Sequence, residues 1–168
     1  MLWYYTAMNK DRKKGDSVRV PKMENKKAFF NYEIIEKTEA GLALVGSEVK
    51  SLRQGGADLT GSYARVSNSE CWLIGCNIAL YKQAGIHNHE PLRKRKLLLH
   101  KRQIKKIDSK LQQKGFTLIP LRIYFNDRGL AKVELAIARG KRQYDKREKL
   151  KKRQQKSDID KSMRKYRK

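Results

Sequence analysis

The chain has 168 residues, and its 41 Lys and Arg against 17 Asp and Glu give a formal net charge of +24 and a pI near 10.2. This length suits one domain with appendages, and the charge attracts phosphate backbones, so nucleic acid is the expected partner. No run approaches the ~18 consecutive apolar residues that span a bilayer, and the start lacks a secretion signal. We therefore expect a soluble, cytoplasmic protein that does not bind membranes.

The first 27 residues mix charged residues with Gly15 and Pro21 and show no apolar period. We interpret residues 1–27 as a disordered leader, followed by one folded unit at 28–139. Because this leader shows no folding signal, one hypothesis is that translation begins at Met8 or Met23.

The folded unit begins with β-forming residues at 29–36, a break at 37–41 and a second apolar run at 42–45. This pattern predicts two strands with a tight connection. A short helix at 48–54 follows, with Ser47 as its cap, Glu48 at its positive end and glycines as its stop.

Two hairpins are predicted farther along the chain. The segments 62–66 and 71–78 flank a polar turn, and 121–125 and 133–137 alternate apolar and polar residues around the turn at 126–129. Pro120 should lie at a strand edge or bulge. The glycines between 55 and 61 match no phosphate-binding pattern and are interpreted as turn glycines.

The stretch 90–106 contains eight Lys and Arg against one acid, around the triplet Leu97, Leu98 and Leu99. Apolar residues then recur at helical spacing up to Gly115, which predicts an amphipathic helix. Its basic face is as consistent with phosphate contact as with plain solvation. That face comprises Lys101, Arg102, Lys105, Lys106 and Lys110.

About six strands with short helices at two connections predict a mainly β fold. Sheets of this size usually avoid exposed edges by closing, so we expect a small antiparallel barrel. An open sheet with helices on one face is the alternative architecture.

The sequence shows no catalytic or metal-binding pattern. Cys71 and Cys76 should point to opposite faces of a strand, and His87 and His89 lack further ligands at a supporting spacing. No nucleophile elbow, HExxH motif or paired carboxylates stand out. We therefore expect no cofactor, no metal and no enzyme activity.

The C-terminal segment 139–168 carries fifteen Lys and Arg against four Asp and Glu. A segment with so few apolar residues should stay disordered until a polyanion neutralises it. Ile159, Met163 and Tyr166 share a helical stripe, which favours a helix formed on binding, although accidental spacing would explain it too.

Three segments carry a resemblance to a known family: EAGLALVGSEVKSLR at 39–53, RKLLL at 95–99 and GKRQYDKR at 140–147. They closely resemble the small protein B family of bacterial SsrA-binding proteins, with matching order and separation from about Ala28 onward. The resemblance implies an OB-fold-like barrel that binds the tRNA-like domain of transfer-messenger RNA (tmRNA). It further implies delivery, with elongation factor Tu, to stalled ribosomes in trans-translation.

The resemblance also implies an RNA-binding set: Tyr32, Glu39, Leu98, His100 and Lys132. Tyr can stack on a base, Lys neutralises phosphate and Glu accepts hydrogen bonds from base amino groups or ribose hydroxyls. Leu98 is equally consistent with a place in the core. His100 stands where many family members have Asn, so its role is open.

A second set implied by the resemblance faces the decoding centre and the mRNA channel of the ribosome: Gly140, Lys141, Arg142, Tyr144, Asp145, Lys146 and Arg147. Many members carry His at the position of Tyr144, so stacking is preserved while a titratable imidazole is lost. The tail, 140–168, is expected to become helical on the ribosome. Two alternatives are a ribosomal or generic RNA-binding protein with the same barrel, and an RNA-processing enzyme.

Overall fold

The computed structural model describes residues 22–142 and, beyond them, positions 154, 155, 159 and 163. The strands are β1 (Met23–Glu24), β2 (Tyr32–Leu42), β3 (Ala57–Asp58), β4 (Tyr63–Ser67), β5 (Glu70–Ile74), β6 (Asn77–Ile78), β7 (Arg95–Leu98), β8 (Phe116–Phe125) and β9 (Ala131–Gly140). The helices are α1 (Lys26–Asn31), α2 (Gly46–Arg53) and α3 (Lys101–Leu111), with a 3₁₀ segment at Lys82–His87.

Six of these strands close into an antiparallel barrel. Around the ring the order is β8, β4, β5, β7, β2 and β9, and β9 pairs again with β8. β1 extends the edge of β8, while β3 and β6 form a separate two-stranded sheet. The predicted mainly β barrel is therefore confirmed. Closure leaves no unpaired edge within the ring.

The first predicted strand is longer than expected, and the second, predicted at 42–45, is wrong because residues 43–45 lie outside any strand. β2 runs unbroken through the predicted break, pairing with β9 over most of its length and with β7 at its end. The break predicted at 37–41 is therefore wrong, and the irregularity of β2 is a bulge farther forward, where the register shifts between Ile34 and Glu36.

The sixth strand of the ring is β7, which the sequence did not predict. It begins at Arg95, inside the basic stretch, and its side chains alternate between core and surface: Arg95 and Leu97 are buried, whereas Leu98 is exposed. The alternation was not recognised in the sequence because it requires Arg95 to be buried, and a buried Arg is rare unless it is paired.

The start of the folded unit lies earlier than predicted, and the assignment of residues 23–27 to a disordered leader is wrong. Met23 is buried and pairs with Ile123, and the Asn25 side chain caps α1 by accepting from the Ala28 amide at 3.0 Å. The predicted strand from residue 29 is likewise wrong at its start. Residues up to Asn31 are helical, because this cap and the burial of Ala28 dock the turn against the barrel.

Both predicted hairpins are confirmed. β4 and β5 join through Asn68 and Ser69, which both have positive φ, as a tight two-residue turn requires. β8 and β9 are longer than predicted, and the register shift after Pro120 is the predicted bulge. α3 also matches its prediction, with Ile104 and Ile107 buried against the barrel.

A buried ionic cluster joins α2 to β7. Glu48 is completely buried and accepts from Arg95 Nε at 2.8 Å and Arg93 Nε at 2.7 Å. Arg95 also donates to the carbonyls of Cys76, Pro91 and Arg93. Burial raises the pKa of Glu48, but hydrogen bonds from Arg93 and Val45 and the charge of Arg95 together hold it below its ordinary value.

The helix cap and the histidines differ from expectation. Val45 is the cap residue of α2, and its amide donates to Glu48 at 2.9 Å, whereas Ser47 contacts His89 Nδ1 at 3.0 Å. His89 is buried, with its second ring nitrogen 3.1 Å from the Ile78 carbonyl, so it lies in the interior and not in a polar loop. Burial raises the pKa of both cysteine thiols to about 11.

Within the described residues, no helix is both long and apolar enough to cross a membrane. Positions 154, 155, 159 and 163 are helical, and the Ile159 and Met163 side chains are exposed. Tyr166, the third member of the predicted stripe, lies outside the described residues. Formation of this helix on binding stays a prediction.

Candidate RNA-binding surface

A groove of about 540 Å³ lies where β2, β7 and β9 meet the start of α3. Four of the five predicted RNA-binding residues line it: Glu39, Leu98, His100 and Lys132. β2 and β9 bring Glu39 and Lys132 together, because Gly41 pairs with Lys132 on the neighbouring strand. Residues far apart in the sequence thus share one surface.

The polar centre of this groove is the Glu39 carboxylate. Lys132 Nζ lies 3.1 Å from Glu39 Oε1, and the Tyr124 hydroxyl donates to the other carboxylate oxygen. The hydrogen bonds from Tyr124 and then Lys132 lower the pKa of Glu39, and the same contact raises the pKa of Tyr124 to about 12. Glu39 is thus held ionised and oriented, with half of its side chain still exposed to accept further hydrogen bonds.

Leu98 lies on the surface and not in the core, being 55% exposed. It packs over Gly41, where a Cβ would come within 3.2 Å of the Leu98 Cβ. Gly41 therefore allows β7 to bring this apolar side chain close to β2. An exposed Leu beside charged groups offers a surface on which a base or ribose can pack.

His100 is exposed and begins α3. Its backbone amide donates to Gln103 Oε1 at 3.0 Å, and its carbonyl accepts from the Ile104 amide at 3.0 Å. The exposed imidazole lines the groove, where its ring can contact a ligand.

The basic face of α3 is only partly available. Lys106 and Lys110 both donate to Glu36 of β2, lowering the pKa of that carboxyl to about 2. Lys101, Arg102 and Lys105 are exposed and form no ion pair with any described residue. Of these three, Lys101 and Lys105 line a separate cleft of about 470 Å³ between α3 and the β4–β5 turn, whereas the α3 lysine in the groove is the paired Lys106.

Tyr32 does not join the other four residues. It lies at the opposite end of β2, in a separate groove of about 460 Å³ that also contains Asn25, Lys27 and Tyr63. The strand pairs Tyr32 with Gly140, so this tyrosine lies beside the root of the tail.

The beginning of the predicted ribosome-facing set is anchored to the barrel. Gly140 ends β9, the Lys141 amide donates to the Asn31 carbonyl at 3.0 Å, and Arg142 is exposed. Between Lys132 and Gly140 lie eight residue steps, about 26 Å at ~3.3 Å each. The groove and the tail root thus occupy opposite ends of the barrel. Tyr144, Asp145, Lys146 and Arg147 lie outside the described residues.

Sequence reasoning missed Tyr124 and Glu36. Both were visible as polar positions on strands, but the strand pairing that places them could not be read from local pattern. Among the described residues, no group of three or more His, Cys, Asp or Glu is arranged to hold a metal.

Comparison with known proteins places this geometry in context. The family model described as SmpB protein matches residues 22–165. An SsrA-binding protein of Sulfurihydrogenibium sp. (strain YO3AOP1) is 53% identical over 138 residues, covering 82% of this chain and 90% of that protein. An SsrA-binding protein of Trichodesmium erythraeum (strain IMS101) is 47% identical over 156 residues, covering 92% and 99%.

A solved structure is also similar. A chain from the work described as "tmRNA-SmpB: a journey to the center of the bacterial ribosome" is 52% identical, with a TM-score of 0.64. The match covers 76% of this chain and 93% of that one. The similarity therefore extends from sequence to the arrangement of the barrel.

Proposed function

The chain belongs to the SmpB protein family, and from that premise we infer that it binds tmRNA and brings it to stalled ribosomes for trans-translation. The match of the family over 22–165, with SsrA-binding relatives about half identical across nearly their whole length, is the observation that carries this function. The similar chain studied with tmRNA and the bacterial ribosome supports the same two partners.

The groove containing Glu39 and Lys132 is the surface that we assign to the tRNA-like domain. It combines a fixed carboxylate acceptor, a Lys that neutralises phosphate and the apolar side chain of Leu98. Those are the elements that recognise exposed RNA bases and their backbone. Tyr32 lies at the other end of the barrel and is not part of this surface.

The tail is the part that we assign to the ribosome. Its root at Gly140 and Lys141 leaves the barrel about 26 Å from Lys132, so both surfaces can be occupied together. We further propose that the residues from Gly140 to Arg147 contact the decoding centre and the mRNA channel. Elongation factor Tu joins through the RNA complex in this proposal.

We propose that the chain acts by binding and not by catalysis, in the cytoplasm where ribosomes work. Incubation of the full chain with labelled tmRNA and Mg²⁺ should leave the RNA uncut. Cleavage above that of a protein-free control would revive the alternative of an RNA-processing enzyme.

The decisive experiment compares the affinity of the full chain for tmRNA and for an unrelated tRNA at the same salt concentration. We expect tighter binding to tmRNA, and a Lys132→Ala variant should lose more of that preference than Arg128→Ala, which removes the same charge from an exposed turn. Equal affinity for both RNAs would instead favour a generic RNA-binding protein.

A further inference from the structure

The groove that contains Glu39 and Lys132 is not uniformly basic. Two carboxylates line it, those of Glu36 and Glu39, beside three lysines that each form an ion pair with a carboxylate. The groove therefore attracts phosphates less strongly than the net charge of the chain suggests. A ligand that enters it is selected by its pattern of hydrogen-bond donors as well as by its charge.

Glu39 is the more open of the two carboxylates, since its side chain is 51% exposed and that of Glu36 is 30% exposed. A carboxylate oxygen has about two acceptor sites. Among the described residues, Lys132 takes one site on Oε1, and the Tyr124 hydroxyl takes one on Oε2. One acceptor site therefore remains on each oxygen. Because these contacts lower the pKa of Glu39, the ionised group presents two adjacent acceptors and no donor.

An apolar platform lies beside this carboxylate. Gly41 follows Glu39 by two residues on the same face of β2, a distance of about 6.6 Å. Leu98 pairs with Gly41 from β7 and packs over it, and its side chain is 55% exposed. A flat ring that rests on Leu98 can therefore direct one edge toward Glu39.

Two adjacent acceptors match a ligand with two N–H donors side by side. Among the four RNA bases, guanine has such a pair on its Watson–Crick edge, at N1 and at the 2-amino group. Adenine and cytosine each direct one amino hydrogen to that edge, and uracil has one imino hydrogen. The ribose of an internal nucleotide offers only its 2′-hydroxyl, because its 3′ oxygen belongs to the phosphodiester.

We propose that this groove selects an unpaired guanine of the tRNA-like domain. The N1–H and the 2-amino group donate to the two oxygens of Glu39, and one face of the base packs on Leu98. The guanine is unpaired, because pairing with cytosine would use the same edge. This inference rests on the proposed function, since the tRNA-like domain supplies the base.

The first test measures base preference with short RNAs. Heptamers of uridine with one central guanine, adenine or inosine compete with labelled tRNA-like domain for the full chain at fixed salt. Guanine should compete about tenfold more strongly than adenine, as a bidentate contact allows. Inosine lacks the 2-amino group and should fall between them. Equal competition by guanine and adenine would overturn the proposal.

A second arm distinguishes the base from its sugar. Replacing the central guanosine by 2′-deoxyguanosine removes the ribose hydroxyl and keeps both N–H donors. Competition should stay within about twofold, because Glu39 contacts the base. A loss as large as that caused by adenine would assign Glu39 to the ribose and overturn the proposal.

Glu39→Gln tests the carboxylate itself. The amide keeps one acceptor and replaces the other by a donor, so the affinity ratio of guanine to adenine should fall from about tenfold toward one. Glu33→Gln removes the same charge at an exposed position outside the groove and should keep the ratio. Because the ratio is measured within one variant, partial unfolding does not imitate its loss. An unchanged ratio in Glu39→Gln would overturn the proposal.

The last test places the guanine in the natural ligand. Each unpaired guanine of the tRNA-like domain is replaced by adenine in turn, and one replacement should weaken binding about tenfold to the unaltered chain but little to Glu39→Gln. Failure of every replacement to weaken binding would overturn the guanine assignment alone. Failure of the unaltered chain to bind the unaltered domain would instead count against the proposed function.

Discussion

Individual residues of the groove are organised by contacts across strands. Tyr124 pairs with Lys132 in the β8–β9 register, and Lys132 pairs with Gly41 on β2, which places both polar groups beside Glu39. The fold therefore orients the carboxylate in advance, which lowers the free-energy cost of any ligand binding to it.

The hydroxyl of Tyr124 should matter for RNA affinity although it is not one of the residues implied by family resemblance. Tyr124→Phe removes the donor to Glu39 while keeping the ring, so we expect tmRNA affinity to fall severalfold and the pKa of Glu39 to rise toward its ordinary value. Titration of affinity against pH measures both effects. Tyr63→Phe is the matched control, because that tyrosine lies in the other groove; an equal loss there would contradict the role of Tyr124.

The tether between Glu36 and α3 should make stability depend on pH. The pKa of Glu36 is lowered from 4.5 to about 2, so its stabilising contribution is complete above pH 4.5 and is lost as pH falls toward 2. Glu36→Gln should flatten that part of the curve of urea midpoint against pH. Glu33 is exposed and forms no ion pair with a described residue, so Glu33→Gln should leave the curve unchanged. Identical curves for the two variants would contradict a stabilising contact between Glu36 and α3.

At the scale of elements, strand pattern alone predicted the β8–β9 hairpin, because alternation and turn residues agree there. It failed at β7, where the buried guanidinium of Arg95 interrupts the apolar pattern. Glu48 explains that position, but its partnership with Arg95 spans 47 residues and depends on α2 docking against β7. Local sequence cannot reveal a salt bridge made by tertiary structure.

The buried cluster should be sensitive to loss of its single acid. Glu48→Gln leaves Arg95 buried without a counter-charge, so we expect a loss of about 3–5 kcal/mol in the free energy of unfolding. Urea denaturation measures it. Glu70→Gln breaks an ion pair with Lys96 at the surface and should cost less than about 1 kcal/mol. Similar losses for both variants would show that the buried cluster stabilises the fold no more than the surface ion pair does.

At the scale of the whole molecule, the groove and the tail root lie at opposite ends of the barrel. Strand number and the preference for closed edges allowed the closed barrel to be predicted, but not which strands close it. Four of the five residues implied by resemblance share one groove, whereas Tyr32 lies about seven residue steps from Glu39 along β2, roughly 23 Å. The separation of these residues between the two ends of the barrel therefore depends on how the strands pair, which the local sequence does not show.

Truncation after Arg142 tests this separation while keeping the anchoring contact of Lys141. Affinity for the tRNA-like domain should stay within about twofold, since the groove is intact, while tagging of stalled chains should be abolished. Binding assays and a translation assay on mRNA without a stop codon measure the two effects. Loss of RNA binding on truncation would contradict the division.

Substitution of Tyr144 refines the same test. Tyr144→Ala should impair tagging more than Tyr144→His, because both Tyr and His can stack on a base and Ala cannot. Equal activity of the two variants and the unaltered chain would argue against stacking at this position.

The pairing of β2 with β9 also determines when the barrel can fold during synthesis. These partners lie about a hundred positions apart, so β2 leaves the ribosome long before the strand that completes its ladder exists. Folding of the barrel must wait for nearly complete synthesis, and such distant pairing is intrinsically slow. A copy cut short before Ala131 would keep an open β2 edge prone to aggregation. A factor that rescues interrupted translation would thus be especially vulnerable to interruption of its own.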